Sequence, residues 1–129
     1  MIKLGTNDFQ STHTNEAWMS AQGVAKLISV TRNSPIEPGM PIPEILVVAP
    51  PWITNPMGSI ASKFKGAESR YVGLPEELEK VTSELGMLFY DSNKSVCASA
   101  VDGIHLDQIQ HRVLGMAIAA EVVSWDVLM

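Results

Sequence analysis

Ile45-Leu46-Val47-Val48-Ala49 is a short run of apolar, largely β-branched residues without polar alternation, closed by Pro50-Pro51. A strand that is apolar on both faces must be covered on both faces, so the run predicts a parallel strand inside a sheet flanked by helices. The segments around it follow that pattern. Ile2 and Leu4, running into Gly5-Thr6-Asn7-Asp8, read as the end of a buried strand breaking into a turn. Thr12 or Thr14 can cap a helix to about Val30, with Ala17, Met19/Ala21, Val24, Leu27 and Ile28 at helical spacing. Between Asn33 and Pro43, Pro35, Pro38, Pro41 and Pro43 together with Gly39 forbid regular structure and predict a connector. The stretch from Trp52 to about Gly66 is rich in Gly, Pro, Ser and Asn, with room for a surface loop or one short helix. Pro75 fits the first turn of a helix ending at Leu85, with Glu76, Glu77 and Glu79 near its positive end and Gly86 as its stop. Met87 to Tyr90 predict another strand. Asp107 can cap a last helix whose apolar stripe is Ile109, Val113, Leu114, Ala117, Ile118 and Val122.

The order β-α-β-α-β-α predicts an α/β three-layer sandwich around a parallel sheet, with ligands bound beyond the carboxyl ends of the strands. Three polar segments meet that rim: Asn7 and Asp8, Trp52 to Ser59, and Asp91 through His105. With 129 residues, 46% of them hydrophobic, the chain is expected to form one domain, residues 1–129. A net charge of −5 with scattered Lys and Arg argues against nucleic acid as a partner. No apolar run reaches the roughly 20 residues needed to span a bilayer, so no membrane role is expected. Cys97 is the single cysteine, which excludes an intrachain disulfide and favours a reducing, cytoplasmic setting.

Gly5-Thr6-Asn7-Asp8 after a strand, with Asp102-Gly103-Ile104-His105-Leu106 leading into the final helix, resembles the SGNH (GDSL-type) hydrolase family. The run from Gln110 to Ala119 is similar to that family's last helix, and Val47 to Pro51 to its arylesterase and acetylesterase branch. The resemblance implies a flavodoxin-like fold and a serine mechanism on small acyl or aryl esters, with no cofactor and no metal. It assigns Asn7 as an oxyanion-hole donor, Asp102 as the acid of the triad and His105 as the base. It also implies an earlier Gly-Asp-Ser block with the nucleophile, which occurs nowhere here. The first strands are therefore expected to be missing, and the sheet edge to be covered by an N-terminal fragment or a second copy, which makes a homo-oligomer the expected state.

The residue types suit that chemistry: ester cleavage needs an activated hydroxyl, a base to take its proton and donors for the oxyanion. Three residues of separation on a turn let Asp102 and His105 side chains meet, and the acid then fixes the imidazole tautomer. Taken singly, each block is also what ordinary turns are made of; their order and placement carry the assignment. Trp52 and Met57 are candidates to line a substrate pocket, with simple packing as the competing role. Ser11 and Ser59 lie in rim loops but not on a strand-to-helix elbow, which argues against either as nucleophile. His13 and His111 are expected at the surface. The alternatives are a Mg²⁺ site gathering Asp8, Asp91, Asp102 and Asp107, and a catalytically silent, self-associating remnant.

Overall fold

The computed structural model describes residues 1–34 and 37–128, so Pro35 of the expected connector lies outside the described residues. Among the described residues, four helices and two strands make up the regular structure: α1 (Ala17–Asn33), β1 (Leu46–Ala49), α2 (Ala67–Tyr71), α3 (Leu74–Leu85), β2 (Leu88–Asp91) and α4 (Gln108–Leu128). Short 3-10 turns cover Thr6–Phe9, Gly58–Phe64 and Ser92–Lys94.

β1 and β2 pair in parallel, Leu46 opposite Leu88 through Ala49 opposite Asp91. Every residue of β1 is buried. Its alternate side chains enter two separate cores, as the unbroken apolar run requires. Ile45, Val47 and Ala49 pack with Ala21, Val24 and Ile28 of α1 and Leu74 and Leu78 of α3. Leu46 and Val48 pack with Tyr90, Val96 and Leu114, joined by Ala117, Ile118 and Trp125 of α4.

The strand expected at Ile2–Leu4 is reduced to one parallel bridge, Ile2 to Val47. Ile2 donates to the carbonyl of Leu46 and accepts from the amide of Val48, both at 2.8 Å. No strand lies on the other side of Ile2 among the described residues, so nothing extends the ladder.

Helix α1 begins at Ala17 rather than at a threonine cap, with Glu16 in extended conformation before it. Thr12 and Thr14 lie instead in the loop whose backbone ties Ser11 to the carbonyl of Lys63 at 2.6 Å. The buried face of α1 is Ala17, Ser20, Ala21, Val24 and Ile28; Met19 and Leu27 face outward, so its stripe is narrower than expected. α3 matches its expectation, with Pro75 in its first turn and Gly86 left-handed at φ 68° as its stop. Helix α2 was not read from the sequence: it has only five residues, too few for a periodic signal. In α4, Asp107 caps as expected, its carboxylate accepting the amide of Gln110 at 2.8 Å. The face that packs is Leu114, Ala117, Ile118 and Trp125, while Ile109, Val113 and Val122 of the expected stripe are exposed. α4 is apolar around most of its circumference, so the sequence alone could not select the buried side. No helix among the described residues is long and apolar enough to cross a membrane.

Candidate active site

Asp102 and His105 lie in the irregular segment between β2 and α4. The Asp102 carboxylate organises the turn with three contacts. Oδ1 accepts the backbone amides of Ile104 at 2.8 Å and His105 at 2.9 Å, and Oδ2 lies 2.6 Å from His105 Nδ1. Burial pushes the Asp102 carboxyl upward, but the hydrogen bonds from the His105 ring and the two amides outweigh it, and the net shift is downward. An ionised carboxylate can only accept, so Nδ1 donates in this contact, and Nε2 has no hydrogen-bond partner among the described residues. The His105 side chain is 63% exposed and that of Asp102 24%, which leaves Nε2 accessible to a reacting group.

A latch to the loop after β1 holds this turn in place. Thr54 donates its amide to the Gly103 carbonyl, and Met57 donates its amide to the Asp102 carbonyl, both at 2.9 Å. Gly103 itself donates to the Ser99 carbonyl at 2.7 Å and is left-handed at φ 76°. A Cβ there would run into the backbone carbonyl of Asn55, so close approach and backbone conformation both demand glycine. Met57 is thus brought to the Asp102 turn. Trp52 is not: its amide donates to Asn93 Oδ1 at 2.8 Å, and its exposed ring lines a separate hollow of about 240 Å³ with Tyr71, Val72 and Glu76.

Asn93 is a hub that the sequence reading missed. Its Nδ2 donates to Asp91 Oδ1 at 2.9 Å and to the Tyr71 hydroxyl at 3.1 Å, and the Tyr71 hydroxyl donates to the carbonyl of Pro50. Burial raises the Tyr71 pKa, partly opposed by the hydrogen bond from Asn93, and the negative charges of Asp91 and Glu76 add smaller upward pushes. Tyr71 therefore stays a donor that ties the end of β1 to α2.

Asn7 sits on the Thr6–Phe9 turn and is exposed. Its Oδ1 accepts from Gln10 Nε2 at 3.3 Å, and its amide nitrogen makes no hydrogen bond among the described residues. The turn is pinned from three sides. Asp8 accepts from the Ser20 hydroxyl at 2.7 Å, Asn15 donates to the Asp8 carbonyl at 3.2 Å, and Arg70 donates to the carbonyls of Phe9 at 2.6 Å and His13 at 3.0 Å. Gly5 precedes the turn at φ 132°, with a would-be Cβ 3.0 Å from Ser20 Oγ. Asn7 lines a groove of about 500 Å³ with Lys3, Leu4, Ser20, Val24 and Leu27. None of its hydrogen bonds reaches Asp102 or His105.

The Mg²⁺ alternative fails on these contacts. Asp8, Asp91, Asp102 and Asp107 are each engaged by a separate partner, and no group of three or more metal-ligating side chains comes together among the described residues. Ser11 donates to the Ser62 carbonyl at 3.0 Å, away from His105, and Ser59 lies in an exposed 3-10 turn. His13 and His111 are exposed, as expected.

No family model and no curated protein matches the chain. Solved structures do. An inhibitor-bound aryl esterase of M. smegmatis superposes with a TM-score of 0.87 at 29% identity, over 95% of this chain and 59% of that one. A carbohydrate acetylesterase family member from Sinorhizobium meliloti gives 0.87 at 26% identity, over 93% of this chain and 57% of that one. A further carbohydrate acetylesterase from the same organism gives 0.86 at 28%, over 96% and 59%. The chain is similar to part of each of these aryl and acetyl esterases. It spans a little under three fifths of the length of the esterases it matches. Of the residues at the rim, the sequence singles out Asn7, Asp102 and His105 but not Ser20, Arg70, Asn93 or Gly103, whose contacts hold the two turns and the strand ends. Gly103 stands inside the Asp-x-x-His block, where the residue type itself is the sequence signal, since glycine is favoured at left-handed and closely approached backbone positions.

Proposed function

We propose that the chain supplies the acid, the base and one oxyanion donor of a carboxylester hydrolase acting on small acyl or aryl esters. The nucleophilic serine would come from polypeptide outside this chain. The Asp102–His105 pair carries the reading: an ionised carboxylate 2.6 Å from Nδ1 orients the ring so that Nε2 can take a proton. In this scheme the serine hydroxyl gives its proton to Nε2 as Oγ bonds to the acyl carbon. The carbonyl oxygen becomes an anion that the free side-chain amide of Asn7 can bind, and the imidazolium then protonates the departing alcohol. Asp102 stabilises the imidazolium without taking its proton. The scheme calls for no cofactor. A three-layer arrangement would put α1 and α3 on one face of the sheet and α4 on the other, with the reacting groups at its rim. Met57, at the Asp102 turn, is the better placed of the two pocket candidates. The aryl and acetyl esterase neighbours favour a small acyl group, and the lone Cys97 suits a cytoplasmic setting.

A chimera in which the unmatched portion of the M. smegmatis aryl esterase precedes Met1 tests the reading. It should hydrolyse p-nitrophenyl acetate, bind one serine-directed phosphonate, and lose on the order of 10⁶-fold in kcat on His105→Ala. Hydrolysis untouched by His105→Ala would refute the assignment. A second reading, a silent self-associating remnant, rests on the outer face of α4, where Ile109, Met116 and Val123 are each at least 62% exposed. Sedimentation showing a dimer that Met116→Asp dissolves would favour it.

A further inference from the structure

The hollow of about 240 Å³ beside the loop after β1 combines an apolar floor, an apolar wall and an acidic rim. Ile53 and Tyr71 form the floor, 4% and 2% exposed, and Trp52 and Val72 form the wall, 58% and 73% exposed. Glu68 and Glu76 complete the lining, and both are exposed. The backbone holds Trp52 out in this position: it follows Pro50-Pro51, and its amide donates to Asn93 Oδ1 at 2.8 Å. The hollow is thus formed without an occupant, which lowers the cost of filling it.

Neither glutamate is answered by a cation. The one ion pair among the described residues joins Asp102 to His105. Arg70 stands next to Tyr71 in sequence but donates to the carbonyls of Phe9, His13 and Lys65 instead. No basic side chain lines the hollow. The negative field also reaches the floor: burial is the main cause of the raised Tyr71 pKa, and Asp91 and Glu76 push it further up.

These properties select the chemistry of an occupant. Two carboxylates repel an anion. A hard divalent ion needs about six oxygen ligands or more, and no group of three or more metal-ligating side chains gathers among the described residues. A neutral apolar molecule would cover the floor and leave both charges unanswered. An organic ammonium ion meets every demand at once: its alkyl groups suit the floor and wall, its charge suits the two carboxylates, and an indole face attracts it. We propose that this hollow binds a small alkylammonium ion, with Trp52 as its aromatic partner and Glu68 and Glu76 as its counter-charges. The space of about 240 Å³ equals roughly eight waters at about 30 Å³ each, which suits an ion of choline's size rather than a peptide segment. The proposal uses none of Asn7, Asp102 and His105, so it stands or falls apart from the ester-hydrolysis reading.

The test is a titration of the chain with choline chloride at constant ionic strength, followed by nitrogen NMR of the indole N–H groups. Trp52→Leu identifies the Trp52 resonance among the three tryptophans. The control ligand is the neutral isostere of choline, a dimethylbutanol in which carbon replaces the quaternary nitrogen. Choline should shift the Trp52 resonance and saturate on the order of 1–10 mM, and the neutral isostere should bind about fivefold more weakly or worse. Glu68→Gln together with Glu76→Gln should lower choline affinity about tenfold. Trp52→Leu should lower it about fivefold, read at the Val72 amide. The three substituted side chains are exposed, so these variants keep the fold. Absence of a saturable shift by about 100 mM choline, equal affinity for the neutral isostere, or unchanged affinity in the double glutamine variant would each overturn the proposal.

Discussion

Replacing Gly103 with alanine strikes a point where the backbone of the Asp102–His105 turn packs tightly against the loop after β1. Two costs add. The first is conformational: φ is 76°, and an L-residue held in the left-handed region costs about 1–2 kcal/mol. The second is steric, because the new Cβ collides with the carbonyl of Asn55 and must push the turn and the loop apart. That displacement lengthens the Thr54–Gly103 and Met57–Asp102 hydrogen bonds, both 2.9 Å, each worth about 0.5–1.5 kcal/mol. The sum is roughly 3 kcal/mol, or a fall in Tm on the order of 10 °C for a domain of this size. Gly66→Ala is the control: Gly66 is also left-handed, at φ 79°, but a Cβ there meets nothing within 4 Å, so only the conformational cost of about 1–2 kcal/mol applies. Urea denaturation of both variants gives the difference, and nitrogen NMR of His105 reports whether the Nδ1 contact with Asp102 persists. Equal destabilisation of the two variants, within about 0.5 kcal/mol, would refute the claim that the Gly103–Asn55 contact latches the turn.

The buried hydroxyl of Tyr71 predicts an alkaline limb. Its folded pKa is raised, so the stability it contributes is present below the ordinary tyrosine value near 10 and lost as pH rises beyond it; Tyr71→Phe should flatten that loss. At neutral pH the same variant leaves the Pro50 carbonyl without its donor and should cost about 1–3 kcal/mol by urea denaturation. Asp102 behaves in the opposite sense. Its folded pKa is depressed, so its contribution is present above the ordinary carboxylate value near 4 and lost as pH falls through the lower folded value, and Asp102→Asn should remove that part of the acid limb. Ser20→Ala breaks the 2.7 Å bond to Asp8 in a site that is otherwise buried and should cost about 1–3 kcal/mol; a cost below about 0.3 kcal/mol would show that the bond does not hold the Asn7 turn.

What was legible in the sequence follows from how local the cause was. β1 could be read because burial on both faces writes itself as an unbroken apolar run. α3 could be read because Pro75 and Gly86 act through their own backbone angles. The Asp102–His105 contact lies within one turn, so spacing sufficed. Elements whose cause lies elsewhere in the chain were missed or misplaced. Which face of α4 is buried depends on Leu46 and Val48 of β1, far away in sequence. Asn93 matters because it joins the ends of both strands to Tyr71, a relation that no window of adjacent residues contains. The start of α1 moved to Ala17 because the Ser11 amide donates to the remote carbonyl of Lys63 and Arg70 donates to the loop's own His13 carbonyl, ties that override the capping preference of Thr12 and Thr14.

The two rim segments are held by separate sets of contacts, and this bears on how the site is assembled. The Asn7 turn depends on Ser20 from α1 and on Arg70 from α2. The Asp102–His105 turn depends on Thr54 and Met57 from the loop after β1. Neither set uses a residue of the other, and no hydrogen bond joins the two turns among the described residues. Each turn therefore owes its local shape to contacts within this chain, and what joins them is the sheet on which both are mounted.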